Sequence, residues 1–273
     1  MPKIPQRCAY VDGPYGQIHL RMAGEGGIPL LLLHQSPLSG AMFSAVMEPL
    51  AAAGIYVAAM DTPGYGASDP PPQPVDIAGY AASVASVMDE LGWDDAALLG
   101  HHTGAAIAAS FAVQYPQRLR GMILNGVPLL SAEDRAFFAD FKFEPLVFED
   151  DGSHLTAAWN QRLAASPGWT NRDAMHRYVL EMLGNPERYH WGFDAAFAYD
   201  LEHDLMRIGC DTLIFTNTGE DLYDASRRAH KLRSDFDFAA LEGGTHDIVD
   251  EQPEAWAEQV STWLRQRAGG CTK

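Results

Sequence analysis

Leu98-Leu99-Gly100-His101-His102-Thr103-Gly104-Ala105 is the stretch on which the reading of this chain turns. An apolar run ends at Gly100 and helical patterning occupies 105–114, so a buried strand, a sharp turn and a helix follow one another directly. Gly100 and Gly104 stand two residues either side of His102, where side chains would collide across so tight a turn, and Ala105 is small as well. The apex residue, His102, is pushed toward a left-handed backbone, which costs roughly 1–3 kcal/mol for a residue with a Cβ. Histidine tolerates that region better than most side chains.

Working outward, short apolar runs recur at 28–33, 55–60, 96–99, 122–124 and 213–215, the pattern of strands buried on both faces. Helical stretches lie between or after them at 41–53, 77–91, 105–114, 224–231 and 253–267. Strand and helix alternate, which predicts right-handed crossovers and a mainly parallel sheet flanked by helices, an α/β fold. The segment 7–24 alternates polar and apolar residues around Gly13-Pro14, as expected of an antiparallel pair at a sheet edge. The alternation breaks over 129–207, which lacks strand-like runs and carries Phe137, Phe138, Phe141, Phe143, Trp159, Trp169, Tyr178, Trp191 and Phe193. It reads as a helical insertion, a lid over a core formed by 1–128 and 208–273, with most of its aromatics gluing it down and a few lining a ligand site beneath.

The composition narrows the function. At 273 residues with 47% apolar content, one core plus an insertion is the expectation. No apolar run approaches the ~18 residues a spanning helix needs. Met1-Pro2-Lys3-Ile4-Pro5-Gln6-Arg7 lacks the features of a secretory signal, and Cys8, Cys210 and Cys271 are odd in number and widely spaced, so a reducing cytoplasm is expected. A formal charge of -17 repels nucleic acid and anionic membrane surfaces. Arg227-Arg228 sits in an amphipathic helical pattern and reads as a solvated face. The expected partner is a small molecule.

These segments, in this order, resemble the α/β-hydrolase-fold enzymes over almost the whole chain. Leu30-Leu31-Leu32-Leu33-His34-Gln35-Ser36-Pro37 is similar to that family's strand and His-Gly-x-Pro oxyanion loop, and Asp61-Thr62-Pro63-Gly64-Tyr65-Gly66-Ala67-Ser68 to its D-x-P-G-x-G-x-S turn. Gly100-His101 followed by Gly104-Ala105 resembles the G-H-D-W-G-A elbows of the epoxide hydrolase and haloalkane dehalogenase branch, with His102 where the family carries serine, aspartate or cysteine. The resemblance implies Asp221 as the acid, with Glu220 as its rival, and His246 in Gly243-Gly244-Thr245-His246-Asp247 as the base. It implies backbone amides of Gln35, Ser36 and Thr103 as oxyanion donors. Asp61 is expected to hold its turn by bonding nearby amides. Asn125 occupies the place where some relatives keep an alternative acid, and as an amide it cannot ionise. His19, His154, His176, His190, His203 and His230 have no motif around them and are expected to be ordinary.

A histidine at the apex allows several chemistries. As a nucleophile it would attack an activated acyl carbon, with His246 and Asp221 activating the water that resolves the acyl-imidazole. Paired with His246 as acid and base, it would serve direct water attack or a cofactor-free lyase or isomerase. His102 and His246 are also competent metal ligands, although nothing in their spacing demands a metal. A lidded pocket that only binds a small ligand is the non-catalytic reading. The expectation adopted is a cofactor-independent, metal-free hydrolase of a small apolar or aromatic ester, lactone or similar acyl compound. A carboxylate nucleophile of the dehalogenase kind is excluded at position 102.

Overall fold

Every apolar run singled out above becomes a strand, because alternate residues of each run face opposite sides of one sheet and both sides are covered. The computed structural model describes residues 4–141, 143 and 146–267; Met1, Pro2, Lys3 and Cys271 lie outside them. β1 (Arg7–Gly13) and β2 (Gly16–Ala23) are the antiparallel pair expected around Gly13-Pro14. β3 (Ile28–Leu33) leads through a 3-10 turn at Gly40–Phe43 into α1 (Ser44–Ala52). β4 (Ile55–Met60) precedes α2 (Ile77–Glu90), whose first turn is capped by Asp76 accepting from the Gly79 amide at 2.8 Å. β5 (Ala96–His101) runs into α3 (Thr103–Gln114), and β6 (Leu119–Asn125) opens the insertion.

Between β6 and the next strand lie α4 (Ala132–Asp140), α5 (Ser153–Ala165), α6 (Arg172–Leu183), α7 (Trp191–Ala198) and α8 (Leu201–Leu205), in the stretch expected to be a helical insertion. The chain then returns through β7 (Thr212–Asn217), α9 (Tyr223–Leu232), β8 (Asp237–Leu241), α10 (Ile248–Glu251) and α11 (Pro253–Arg267). The eight strands are ordered β1-β2-β4-β3-β5-β6-β7-β8; β1 with β2 and β2 with β4 pair antiparallel, and the remaining pairs are parallel. β8 has no counterpart in the sequence reading. It is a half-buried edge strand, so Asp237-Phe238-Ala239-Ala240-Leu241 shows neither a continuous apolar run nor a clean alternation.

Leu31 and Leu33 face the layer of α2 and α3, while Leu30 and Leu32 face that of α1 and α11. The insertion is divided in its packing. α7 and α8 contribute Ala195, Leu201 and Leu205 to the core on the α2–α3 side, whereas Ala158, Val179, Met182 and Tyr189 form a small core of their own around α5 and α6. Asp61 accepts from the amides of Gly40 and Ala67 and pairs with buried His19 at 2.9 Å, holding the loops after β3 and β4 against one another. The C-terminal ends of the parallel neighbours β3, β5, β6 and β7 lie at one edge of the sheet, where ligand sites of open parallel sheets form.

Candidate active site

The elbow has the geometry its glycines require. A Cβ on Gly100 would come within 2.0 Å of the Gly104 oxygen, and one on Gly104 within 2.1 Å of the Leu33 oxygen. His102, with φ 51° and ψ −108°, is the only non-glycine residue at positive φ among the described residues. Its imidazole therefore leaves the sheet at the opening of α3, where the first amides have no intrahelical acceptor and favour developing negative charge.

The structure pairs His102 with Glu220. Nε2 of His102 lies 2.8 Å from Oε2 of Glu220, while Oε1 accepts from the Thr216 hydroxyl and, at 3.4 Å, from the Asn217 amide. Burial pushes the Glu220 carboxyl up, but the hydrogen bond and charge of His102 and the Thr216 hydroxyl outweigh it, and the group sits below the usual range. An ionised carboxylate only accepts, so His102 donates from Nε2, and in the neutral form of the ring the lone pair lies on Nδ1.

Asp221 and His246 are near each other but loosely. Asp221 Oδ2 is 3.7 Å from His246 Nδ1, beyond hydrogen-bond distance, and its side chain is 83% exposed. On the other edge of that ring, Nε2 lies 2.5 Å from a guanidinium nitrogen of Arg162, 3.4 Å from the Ser166 hydroxyl and 3.4 Å from Asp247. A guanidinium only donates, so Nε2 accepts and Nδ1 carries the ring proton. Burial, then the charge of Arg162, holds His246 well below the ordinary imidazole range. The rings of His102 and His246 stand 6.1 Å apart.

Arg162 arrives from α5 and is itself buried. It donates to the Asp247 carboxylate and lies 4.9 Å and 3.9 Å from the ring centres of Trp169 and Tyr178. Burial raises Asp247 to about 6 against the pull of Arg162. Of the expected oxyanion donors, the Ser36 amide makes a long 3.4 Å contact to the Thr103 hydroxyl, and the Thr103 amide opens α3. The Gln35 oxygen receives Nδ1–H of His34, whose Nε2 accepts from the Thr62 amide at 2.9 Å, so a neutral, buried His34 stiffens that loop.

Three residues of the site escaped the sequence reading. Arg162 has no local signal, because its contacts are made across 84 and 85 positions of chain. Asp247 was legible only as the neighbour of His246. Gly126 follows Asn125 with φ 63°, and a Cβ there would lie 2.3 Å from Cδ2 and 2.5 Å from Nε2 of His102. Glycine at 126 leaves room for the His102–Glu220 pair.

Known proteins agree with this architecture. A family model described as alpha/beta hydrolase fold matches residues 28–268. The chain is 37% identical over 116 residues to 2-hydroxy-6-oxononadienedioate/2-hydroxy-6-oxononatrienedioate hydrolase 2 of Pseudomonas putida, a stretch that is 40% of this chain and 40% of that protein. It is 33% identical over 195 residues to the hydrolase for the same substrates from Klebsiella pneumoniae, covering 63% of this chain and 67% of that protein. In three dimensions it is similar to a thermophilic esterase from Thermogutta terrifontis, with a TM-score of 0.78 and 21% identity over 96% of this chain and 99% of that one. The ordered strands, the elbow glycines and a family match spanning nearly all of the chain lead to one statement: this protein belongs to the alpha/beta hydrolase family and is a hydrolase of that fold.

Proposed function

We propose that the chain is a cofactor-independent hydrolase of small acyl compounds in which His102, oriented by Glu220, moves the proton of the attacking water. The observation that carries this reading is the 2.8 Å pair between His102 Nε2 and a buried, ionised Glu220, which leaves Nδ1 as the basic nitrogen at the elbow. His246, by contrast, has its Nε2 engaged by Arg162. Water on Nδ1 gives up its proton as its oxygen bonds the acyl carbon, and the oxyanion turns to the amides of Ser36 and Thr103. The imidazolium then returns that proton to the leaving group as its bond breaks, giving an acid and a protonated leaving group.

The insertion acts as the lid of this site and its composition favours apolar substrates. A cavity of about 740 Å³ is lined mostly by residues of the insertion, Phe143, Tyr178, Met182 and Phe193 among them, and meets the core at Pro37 of the oxyanion loop; His102, Glu220 and His246 do not line it. An ester or lactone fits the mechanism with oxygen as the leaving atom. A second reading is favoured by the Pseudomonas and Klebsiella relatives. A 2-hydroxy-6-oxo-dienedioate has no ester, and water splits it at a carbon–carbon bond beside its ketone, with the ketonised dienol as electron sink. Ketonisation first moves the enol proton to the carbon beside that ketone. The same water attack then breaks the carbon–carbon bond with its electron pair passing into the new carbonyl as a dienolate, and the imidazolium returns its proton to the dienolate oxygen, giving an acid and a dienol.

Initial rates on an aryl ester, an enol lactone and a 2-hydroxy-6-oxo-dienoate, with wild type and His102→Ala, test both readings. Turnover lost by orders of magnitude in His102→Ala supports the role of the elbow; near-normal turnover removes it. Rapid-quench mass analysis is expected to find no acyl adduct on His102, and an adduct there would make the histidine a nucleophile instead. Binding without turnover across the panel would leave a ligand-binding protein.

A further inference from the structure

His101 closes β5, is fully buried, and touches both halves of the site. Its Nδ1 lies 2.9 Å from Asn125 Oδ1 and its Nε2 lies 3.1 Å from the backbone oxygen of His246. Its ring stacks on that of His102, with centres 4.1 Å apart and planes 14° apart.

The surroundings decide where its proton sits. Asn125 cannot be turned over, because Nδ2 donates to the Phe215 oxygen at 3.2 Å and Oδ1 accepts at 2.8 Å from the Trp256 indole, which only donates. Both nitrogens of His101 thus face acceptors. Burial, then the charge of His102, pushes His101 down to about 3, so the ring is neutral and has a single N–H to give. The Asn125 oxygen already has the Trp256 donor, whereas among the described residues no donor other than His101 reaches the His246 peptide oxygen. The N–H belongs on Nε2, and the lone pair of Nδ1 is left against Asn125.

We propose that His101 is the positioning residue of this site: its Nε2–H holds the His246 carbonyl while its ring face backs His102, so that elbow and histidine loop keep one register. The two are 145 positions apart in the chain, and this bond joins them directly. It also fixes the loop that carries Asp247, the partner of Arg162. A reacting group displaced by about 1 Å can lose on the order of a hundredfold in rate, so such a bridge bears on turnover without touching substrate. The proposal rests on His102 being the working group, but its spectroscopic and exchange tests do not.

Two variants separate bridge from stack: His101→Phe keeps a ring face on His102 and has no N–H, whereas His101→Gln keeps an amide N–H for the carbonyl and has no ring. Expected for His101→Phe is a kcat reduced about tenfold or more with KM within about threefold, and faster amide exchange at 245–247. His101→Gln is expected to restore most of the rate and the exchange protection. In the wild-type protein, 15N NMR of the imidazoles is expected to place the single proton of His101 on Nε2 near neutral pH. A proton on Nδ1 overturns the proposal, as does His101→Phe with wild-type kcat and exchange, or both variants slowed alike with exchange unchanged. Should His101→Phe not fold, the wild-type NMR result decides. Should wild type turn over none of the panel, the functional reading fails while exchange and NMR still test the bridge.

Discussion

Nε2 of His102 lies 2.8 Å from Oε2 of Glu220, whereas Asp221, the very next residue, holds an 83% exposed side chain 3.7 Å from His246. The turn after β7 sends one carboxylate into the site and the other toward water. Glu220→Gln is expected to lower kcat by about 10²–10⁴, because a neutral amide neither fixes the tautomer of His102 nor stabilises its imidazolium. Asp221→Asn is expected to change kcat by less than about threefold. Steady-state rates of the two variants check this, and the reverse order would make Asp221 the orienting acid.

Gly126→Ala places a methyl 2.3 Å from His102 Cδ2 and 2.8 Å from Glu220 Oε2, at a residue with φ 63°. The pair must separate to admit it. A loss of more than about tenfold in kcat is expected, with a stability cost of about 1 kcal/mol or more from the backbone alone. Kinetics and denaturant unfolding on one preparation measure both; unchanged kcat would mean that catalysis does not need the pair intact.

Glu181 on α6 accepts from the Ser39 hydroxyl at 3.0 Å, and its buried Oε2 has no hydrogen-bond partner among the described residues. Burial raises its carboxyl to about 7, with nearby Asp61 adding to the effect and Ser39 and Arg177 opposing it. A raised carboxyl means the folded chain binds more protons than the unfolded one between the ordinary carboxylate range and about pH 7, so its contribution makes stability fall as pH rises through that window. Glu181→Gln is expected to stabilise the protein by about 1–3 kcal/mol at pH 8 and to change little near pH 4. Unfolding midpoints at both pH values test it, and a variant destabilised at pH 8 would show that the carboxylate is held ionised.

Local pattern carried much of this structure. The runs at 28–33 and 55–60 became strands with those bounds, and helix 253–267 likewise, because burial on two faces or one stripe imprints a period on neighbouring residues. The glycines around His102 were readable for the same reason, since close approach leaves no choice of side chain. Which of Glu220 and Asp221 meets His102 was not readable, because adjacent carboxylates on a turn differ only in where the backbone aims them. Arg162 was out of reach of any window, as its partners lie on the far side of the fold. β8 stayed hidden because an edge strand with half-buried residues loses the contrast on which periodicity depends.

One consequence follows from the contact between Arg162 and His246. The guanidinium is supplied by α5, so a swing of that helix away from the sheet would uncover the cleft and, in the same stroke, free the lone pair of His246. Arg162 thereby ties the proton affinity of His246 to the seating of α5, so a helix of the insertion bears on the titration of the histidine loop.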